Sequence, residues 1–378
     1  MPKEKYIPSQ EEVQKAEEMM SPEQKEASEI REMFKTQERD PFEDFLAHID
    51  EGDKRMPPTP EEKKRMDYRL KKLGQIFEGY EGNWHLDGAL NISLMKGEYI
   101  GTHKDVDISV EDEDLDKLDA QAAKKGYGLF LSRAKDPTME RSPKINERVG
   151  AQRFREAGEN EHWMLAAIDE QGKIREEEEM NFIDVHVIQR NTEGKPIGQA
   201  GVELPEEWLE SRTIDFQGEK LNISNPVKVA YFKLHQGRSY DYTDLEELAK
   251  TGELTEKNVE DIKGVIKKEV QKKIGEFRGS LGDTIKDVKP GMSVDEIYSV
   301  FLSNEFFKAR LPRIEEPLKK LSEKIAKDDD LSLDKIWTDV EDAFKVQNYI
   351  DQELEKTKGL EAWVKEAEEK KKLEDELK

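Results

Sequence analysis

The chain has no cysteine. That absence removes disulfides, zinc-thiolate centres and thiol nucleophiles from consideration. Apolar residues are scarce as well: 35% of the 378 positions, against 39% charged. A core can form only where those apolar residues cluster. Long apolar runs are missing. The longest is 163–168, Trp-Met-Leu-Ala-Ala-Ile, whereas a membrane-spanning helix needs about 20 such residues. No membrane partner is therefore expected. Basic residues are outnumbered, 62 Lys and Arg against 86 Asp and Glu, for a net charge of −24. A general nucleic-acid-binding surface is basic, so this balance argues against one. It is compatible with cationic small-molecule partners. The first residues, MPKEKYIPSQEEVQ, contain no apolar stretch of the kind a secretory leader carries. A cytoplasmic protein is the expectation. The length suits two or three domains.

What is present centres on residues 83–110, NWHLDGALNISLMKGEYIGTHKDVDISV. They read as strand, glycine turn, short helix, loop and second strand. Side chains alternate along a strand. In the second strand Val106, Ile108 and Val110 therefore share one face, and Asp105, Asp107 and Ser109 the other. Two carboxylates above an apolar row can hold a hard cation, because Mg²⁺ takes a few carboxylate oxygens together with substrate phosphates. A solvated edge strand would show the same pattern. Residues 181–188, Asn-Phe-Ile-Asp-Val-His-Val-Ile, repeat the design, with Ile183, Val185 and Val187 on one face and Asp184 and His186 on the other. If the two strands are neighbours, Asp105, Asp107 and Asp184 converge. Carboxylates so close repel without a cation between them.

The rest of the chain supplies a frame. Residues 1–58 are acidic and punctuated by proline. They suit either a docked helical arm or a partly disordered tail. Thr59, Pro60 and Glu62 form a capping box that starts a helix with Met66, Leu70, Leu73, Phe77 and Tyr80 at 3–4 spacing. A helix at about 113–125 ends at Gly126, and strands follow at about 127–132, 162–168 and 182–189. Between the first two of these, residues 133–155 read as a loop. It carries seven bases (Arg133, Lys135, Arg141, Lys144, Arg148, Arg153, Arg155) against three acids (Asp136, Glu140, Glu147). The loop either meets a triphosphate or a nucleic-acid end, or balances acidic neighbours in solvent. Residues 213–223 form a hairpin turning at Gln217 and Gly218. Asn225 and Pro226 start a helix that ends near His235, and another covers 241–250. From 255 onward the pattern is wholly helical. Its apolar stripes, such as Ile262, Ile266, Val270, Ile274, Phe277, Leu281 and Ile285, are core-forming. They suit an intrachain bundle or a homo-oligomer equally. The last stretch, about 360–378, reads as a charged helix or a frayed end.

Four of these features together resemble the nucleotidyltransferase superfamily with a polymerase-beta-type core, most closely its aminoglycoside and lincosamide nucleotidyltransferases. They are Leu86-Asp87-Gly88-Ala89 as a glycine turn, and His103-Lys104-Asp105-Val106-Asp107 as a His-x-Asp-x-Asp strand. Ile183-Asp184-Val185-His186 follows as a later Asp-x-His strand. A closing helical segment carries Asn225-Pro226, Lys233, Gly237-Arg238, Asp241 and Asp244. The resemblance covers residues 84–248, under half of the chain. It implies an α+β fold: a mixed-sheet core at 59–254, an N-terminal helical extension at 1–58 and an all-helical C-terminal domain at 255–378.

The resemblance also implies a chemistry. Asp105 and Asp107 would bind Mg²⁺ bridging the triphosphate of ATP or another nucleotide. Asp184 would complete the metal site or act as general base. Gly88 would let backbone N–H groups approach the phosphates. Lys233 and Arg238 would contact phosphates, or instead pair with Asp241 or Asp244. His186 would shuttle a proton or serve as a structural histidine. His103 would orient a neighbouring acid. The implied reaction is transfer of AMP to a hydroxyl, with a small molecule as the expected acceptor and tRNA or protein as the toxin-like alternative. A non-catalytic nucleotide-binding scaffold is the third reading. Two positions depart from the family pattern: Ala89 stands where its second glycine would be, and Gly101 where a basic residue is common.

Overall fold

A computed structural model describes residues 57–103, 106–134, 144–148, 161–175, 180, 182–328 and 330–376. All of them belong to one compact unit, Asp53–Lys378. The segment expected to be an arm or a tail lies outside the described residues but for 57 and 58. So does most of the basic run.

Helix α1 (Pro60–Phe77) begins as its sequence dictates. The Thr59 hydroxyl accepts the Glu62 N–H at 3.3 Å, and the Glu62 carboxylate accepts the Thr59 N–H at 2.8 Å. Its stripe of Met66, Leu70, Leu73, Ile76 and Phe77 is buried. Strand β1 (Trp84–Leu86), helix α2 (Gly88–Lys96) and strand β2 (Asp107–Glu111) then form the expected strand–helix–strand unit. Helix α3 (Leu115–Lys124) leads into β3 (Tyr127–Ala134), β4 (Lys144–Arg148), β5 (Glu161–Ala167) and β6 (Phe182–Ile188). The hairpin of β7 (Ser211–Phe216) and β8 (Glu219–Ser224) turns at Gln217 and Gly218 as expected. Helices α4 (Pro226–Gln236) and α5 (Ser239–Lys250) follow.

The strands form one eight-stranded sheet in the order β4-β3-β5-β6-β2-β1-β8-β7. The β2/β6 and β1/β8 pairs are parallel and the others antiparallel, so the sheet is mixed and the fold is α+β. One of its faces is apolar. Leu86, Ile108, Val110, Ile183, Val185 and Ile223 are buried there with the stripes of α1 and α3. Beyond the sheet lie α6 (Glu256–Ile285), α7 (Val294–Ser303), α8 (Glu305–Ile325), α9 (Leu333–Ala343) and α10 (Val346–Glu376). They enclose a second core around Leu281, Phe301, Phe307, Leu318, Leu321 and Val340.

Two details differ from the sequence reading. Residues 144–148 are not loop but strand β4, paired with the end of β3 from Phe130↔Arg148 to Ala134↔Lys144. Lys-Ile-Asn-Glu-Arg has almost no apolar alternation, so its strand state comes from edge pairing rather than from its own pattern. The last helix starts at 346, well before the expected 360. It packs against α5 and α6 and buries Thr357, Leu360 and Val364 among its charges.

Ile108 sits at the centre of the apolar face with no exposed surface. Ile108→Ala is expected to lower unfolding free energy by about 2–5 kcal/mol, read from urea denaturation. A loss below about 1 kcal/mol would mean that the site collapses around the cavity.

Candidate active site

The other face of the sheet is polar, and the register shows why its residues meet. Strand β2 runs parallel to β6 with Asp107 opposite Asp184 and Ser109 opposite His186. Strand β1 runs antiparallel to β2 with His85 opposite Ser109. Residues opposite each other project to the same face. Asp107 and Asp184 are therefore neighbours on adjacent strands, and His85, Ser109 and His186 form the row beside them. Asp105 lies outside the described residues. Among the described residues no three carboxylates or imidazoles gather as a complete metal site.

The turn after β1 closes on Asp107. The Asp87 N–H donates to the Asp107 carbonyl at 2.8 Å. Gly88 follows with φ +67°, a conformation a side chain makes costly. A Cβ on Gly88 would overlap Asp107 Oδ2 and lie 3.2 Å from its Cγ. The glycine is thus required twice, by its backbone angle and by the closeness of the carboxylate. His186 Nε2 lies 3.5 Å from Asp107 Oδ1, and its side chain is 55% exposed. Partial burial disfavours the charged ring; the Asp107 hydrogen bond and charge outweigh that and raise its pKa.

His103 is buried, and its carbonyl accepts from the Arg69 guanidinium of α1. Nearby, Tyr99 donates to Asp67 at 2.6 Å, so α1 holds the loop before β2 at two points. Lys233 is buried between Asp241 and Asp244, at 2.8 and 2.7 Å. Arg238 donates to Asp241 at 2.8 Å and lies 4.4 Å from the centre of the Tyr240 ring. The structure thus shows the ion pairs that were one of the two readings for these cations, although Lys233 is in the interior rather than on the surface. The Arg238 guanidinium also bonds Gln236. Partial burial opposes its charge, while Asp241, Tyr240 and Asp107 favour it and raise its pKa.

Sequence reasoning missed the cluster beneath this site. Lys228 of α4 is 2% exposed. Its ammonium donates to both oxygens of Asp87, at 3.0 and 2.9 Å, to Ser109 Oγ at 2.6 Å and to Ser224 Oγ at 3.3 Å. Ser109 and Ser224 also donate to Asp87. Burial alone would raise the Asp87 pKa; Lys228, His85 and the two hydroxyls hold it well below the usual carboxylate range. The available signal was a lysine three residues before Tyr231, on the helix face that also bears Val227 and Tyr231.

His85 is 3% exposed, and neither ring nitrogen has a hydrogen-bond partner among the described residues. Burial, and next the Lys228 charge, push its pKa down to about 3. A hard cation fits what is present. Asp107 and Asp184 offer paired oxygen donors, and Gly88 leaves room where a Cβ would crowd Asp107.

No protein-family profile and no curated protein sequence matches the chain. Several solved structures are similar to parts of it. The lincosamide antibiotic adenylyltransferase LnuA, bound to lincomycin, is 16% identical; the match covers 51% of this chain and 98% of that one, at a TM-score of 0.30. The antibiotic-resistance factor ANT(2'')-Ia is 10% identical over 47% of this chain and 80% of that one, at 0.29. An antigenic nucleotidyltransferase-like protein from Paracoccidioides brasiliensis is 14% identical over 57% and 91%, at 0.32.

The buried neutral His85 gives a pH signature. Its folded pKa lies below the unfolded value of about 6.5. The unfolded chain therefore binds more protons between the two values, and stability falls as pH drops through that window. His85→Gln is expected to flatten the decline between pH 6 and 4 by about 1 kcal/mol per pH unit, measured by urea unfolding at stepped pH. An unchanged slope would show that His85 takes up its proton without unfolding.

Proposed function

We propose that the protein is an Mg²⁺-dependent nucleotidyltransferase that moves a nucleoside monophosphate, AMP from ATP, onto a hydroxyl of a small-molecule acceptor. One observation carries this reading: Asp107 and Asp184 stand opposite each other on parallel neighbouring strands, at the foot of the Gly88 turn. The sequence resemblance places Asp105 with them. Asp107, Asp184 and Asp105 would hold the metal, which when bound neutralises phosphate charge and steadies the attacking and leaving oxygens.

The chain's own residues have the remaining tasks. The Gly88 turn brings backbone N–H groups toward the phosphates, because no Cβ stands in the way. Asp184 accepts the proton of the acceptor hydroxyl as its oxygen attacks the α-phosphorus. The bond from that phosphorus to the bridging oxygen breaks, and pyrophosphate leaves. His186, beside Asp107 and with its side chain half exposed, would pass the proton on to solvent. Arg238, held by Asp241, would supply cationic charge for the triphosphate, as the resemblance implies. His103 serves through its backbone, which Arg69 holds. The acidic overall balance favours a cationic acceptor. No helix among the described residues is long and apolar enough to cross a membrane.

A nucleic-acid acceptor is favoured by one feature, the seven bases among residues 133–155. Binding of tRNA that weakens about as the 0.9 power of salt per phosphate contacted would support it. No binding at low salt would exclude it.

Calorimetric titration of a non-hydrolysable ATP analogue, with and without Mg²⁺, tests the main reading. Wild type is expected to bind only with the metal. Asp107→Asn or Asp184→Asn should each lose several kcal/mol of charge stabilisation, on the order of 10²- to 10³-fold in turnover. Binding that is indifferent to Mg²⁺ and to both substitutions would end the proposal.

A further inference from the structure

We infer that Lys228 is a positioning residue, whose task is to withdraw the Asp87 carboxylate from the N-terminus of α2 so that this turn faces the triphosphate rather than its own cap. The inference rests on the nucleotide-binding reading of the Gly88 turn and adds a residue to it.

Asp87 is the N-cap of α2, with the extended backbone an N-cap adopts (φ −114°, ψ −168°). An aspartate there ordinarily accepts the N–H of the second or third helical residue, here Ala89 or Leu90. Asp87 makes no such bond. Its carboxylate points instead to Lys228, Ser109 and Ser224. Those partners come from three elements, α4, β2 and the end of β8, so the diversion is built into the fold rather than into one flexible loop. Lys228 makes no ion pair except with Asp87 among the described residues. An ammonium and a carboxylate buried together are costly to desolvate, and a well-packed apolar pair is often as stable. Stability alone therefore does not account for the arrangement. Its geometric effect is to keep a negative charge away from the helix end that carries positive potential. The same fixed turn lays Gly88 on the Asp107 carboxylate.

The test uses the full chain and two double variants that leave no buried charge unpaired. In Lys228→Met/Asp87→Ala, position 87 has no side chain able to cap α2. In Lys228→Met/Asp87→Asn, it has a good one. The probe is Mg²⁺ with an ATP analogue whose α and β phosphorus atoms are bridged by a methylene group. The alanine variant is expected to bind within about threefold of wild type, and the asparagine variant about tenfold more weakly, since its amide competes for the same N–H groups. Equal binding by the two variants, or equal loss in both, overturns the inference.

A second readout needs no nucleotide. Amide exchange at Ala89 and Leu90 in wild type should match the alanine variant and be faster than in the asparagine variant. Wild-type exchange as slow as in the asparagine variant would show that Asp87 caps the helix after all. If wild type does not bind the analogue, the nucleotidyl-transfer reading fails, and the exchange data still decide the position of Asp87.

Discussion

The two-residue period of β1, β2 and β6 is the constraint on which the remaining structure depends. Because alternate side chains leave the sheet in opposite directions, one register assigns every residue of these strands to a role. Leu86, Ile108, Val110, Ile183 and Val185 go to the core beneath α1 and α3. His85, Asp107, Ser109, Asp184 and His186 go to the polar face. A slip of one residue in β6 would bury Asp184 and His186 and expose Ile183 and Val185. The apolar contacts that stabilise the sheet are thus the same contacts that bring Asp107 opposite Asp184. The core energetics and the site geometry cannot be varied separately at these positions.

Much of this was legible in the sequence, because alternation and helix-capping signals are local. The capping box at Thr59, the glycine turn, the second acidic strand and the hairpin at Gln217 and Gly218 appear where their patterns put them, whereas the first acidic strand begins at Asp107 rather than at His103. The pairing of β2 with β6 was only conditional, since the strands are separated by about seventy residues of chain and periodicity says nothing of adjacency. Strand β4 was illegible for a different reason. It is held by its hydrogen-bonded neighbour, and Lys-Ile-Asn-Glu-Arg carries no apolar alternation of its own. Lys228 was hidden by its type: a lysine in a helix is usually solvated, and only the three-dimensional meeting of α4 with Asp87 makes this one interior. Lys233, read on the same helix as a phosphate contact or an ion pair, is likewise enclosed, by Asp241 and Asp244.

Helix α4 is accordingly the most heavily committed element of the described residues. Lys228 ties its first turns to the sheet, Lys233 ties its last turn to α5, and Asn225 caps its start by accepting the Val227 N–H at 2.9 Å. Tyr231 adds a fourth attachment. Its hydroxyl accepts the Gln199 N–H at 2.9 Å and donates to Glu269 of α6. His235 Nε2 lies 2.9 Å from the other oxygen of that buried glutamate.

The grip of Glu269 on Tyr231 and His235 bears on how such a chain can be cut or recombined. A fragment ending near residue 254 would keep every residue of the polar sheet face and yet lose the carboxylate that Tyr231 bonds. It would also lack Val259, Ile262, Val265 and Ile266 of α6, which are buried in the intact chain, and would uncover the surface they cover. The smallest autonomous piece is therefore larger than the stretch that bears the recognisable motifs. Shuffling the helical half onto another sheet would require transplanting Tyr231 and His235 with it.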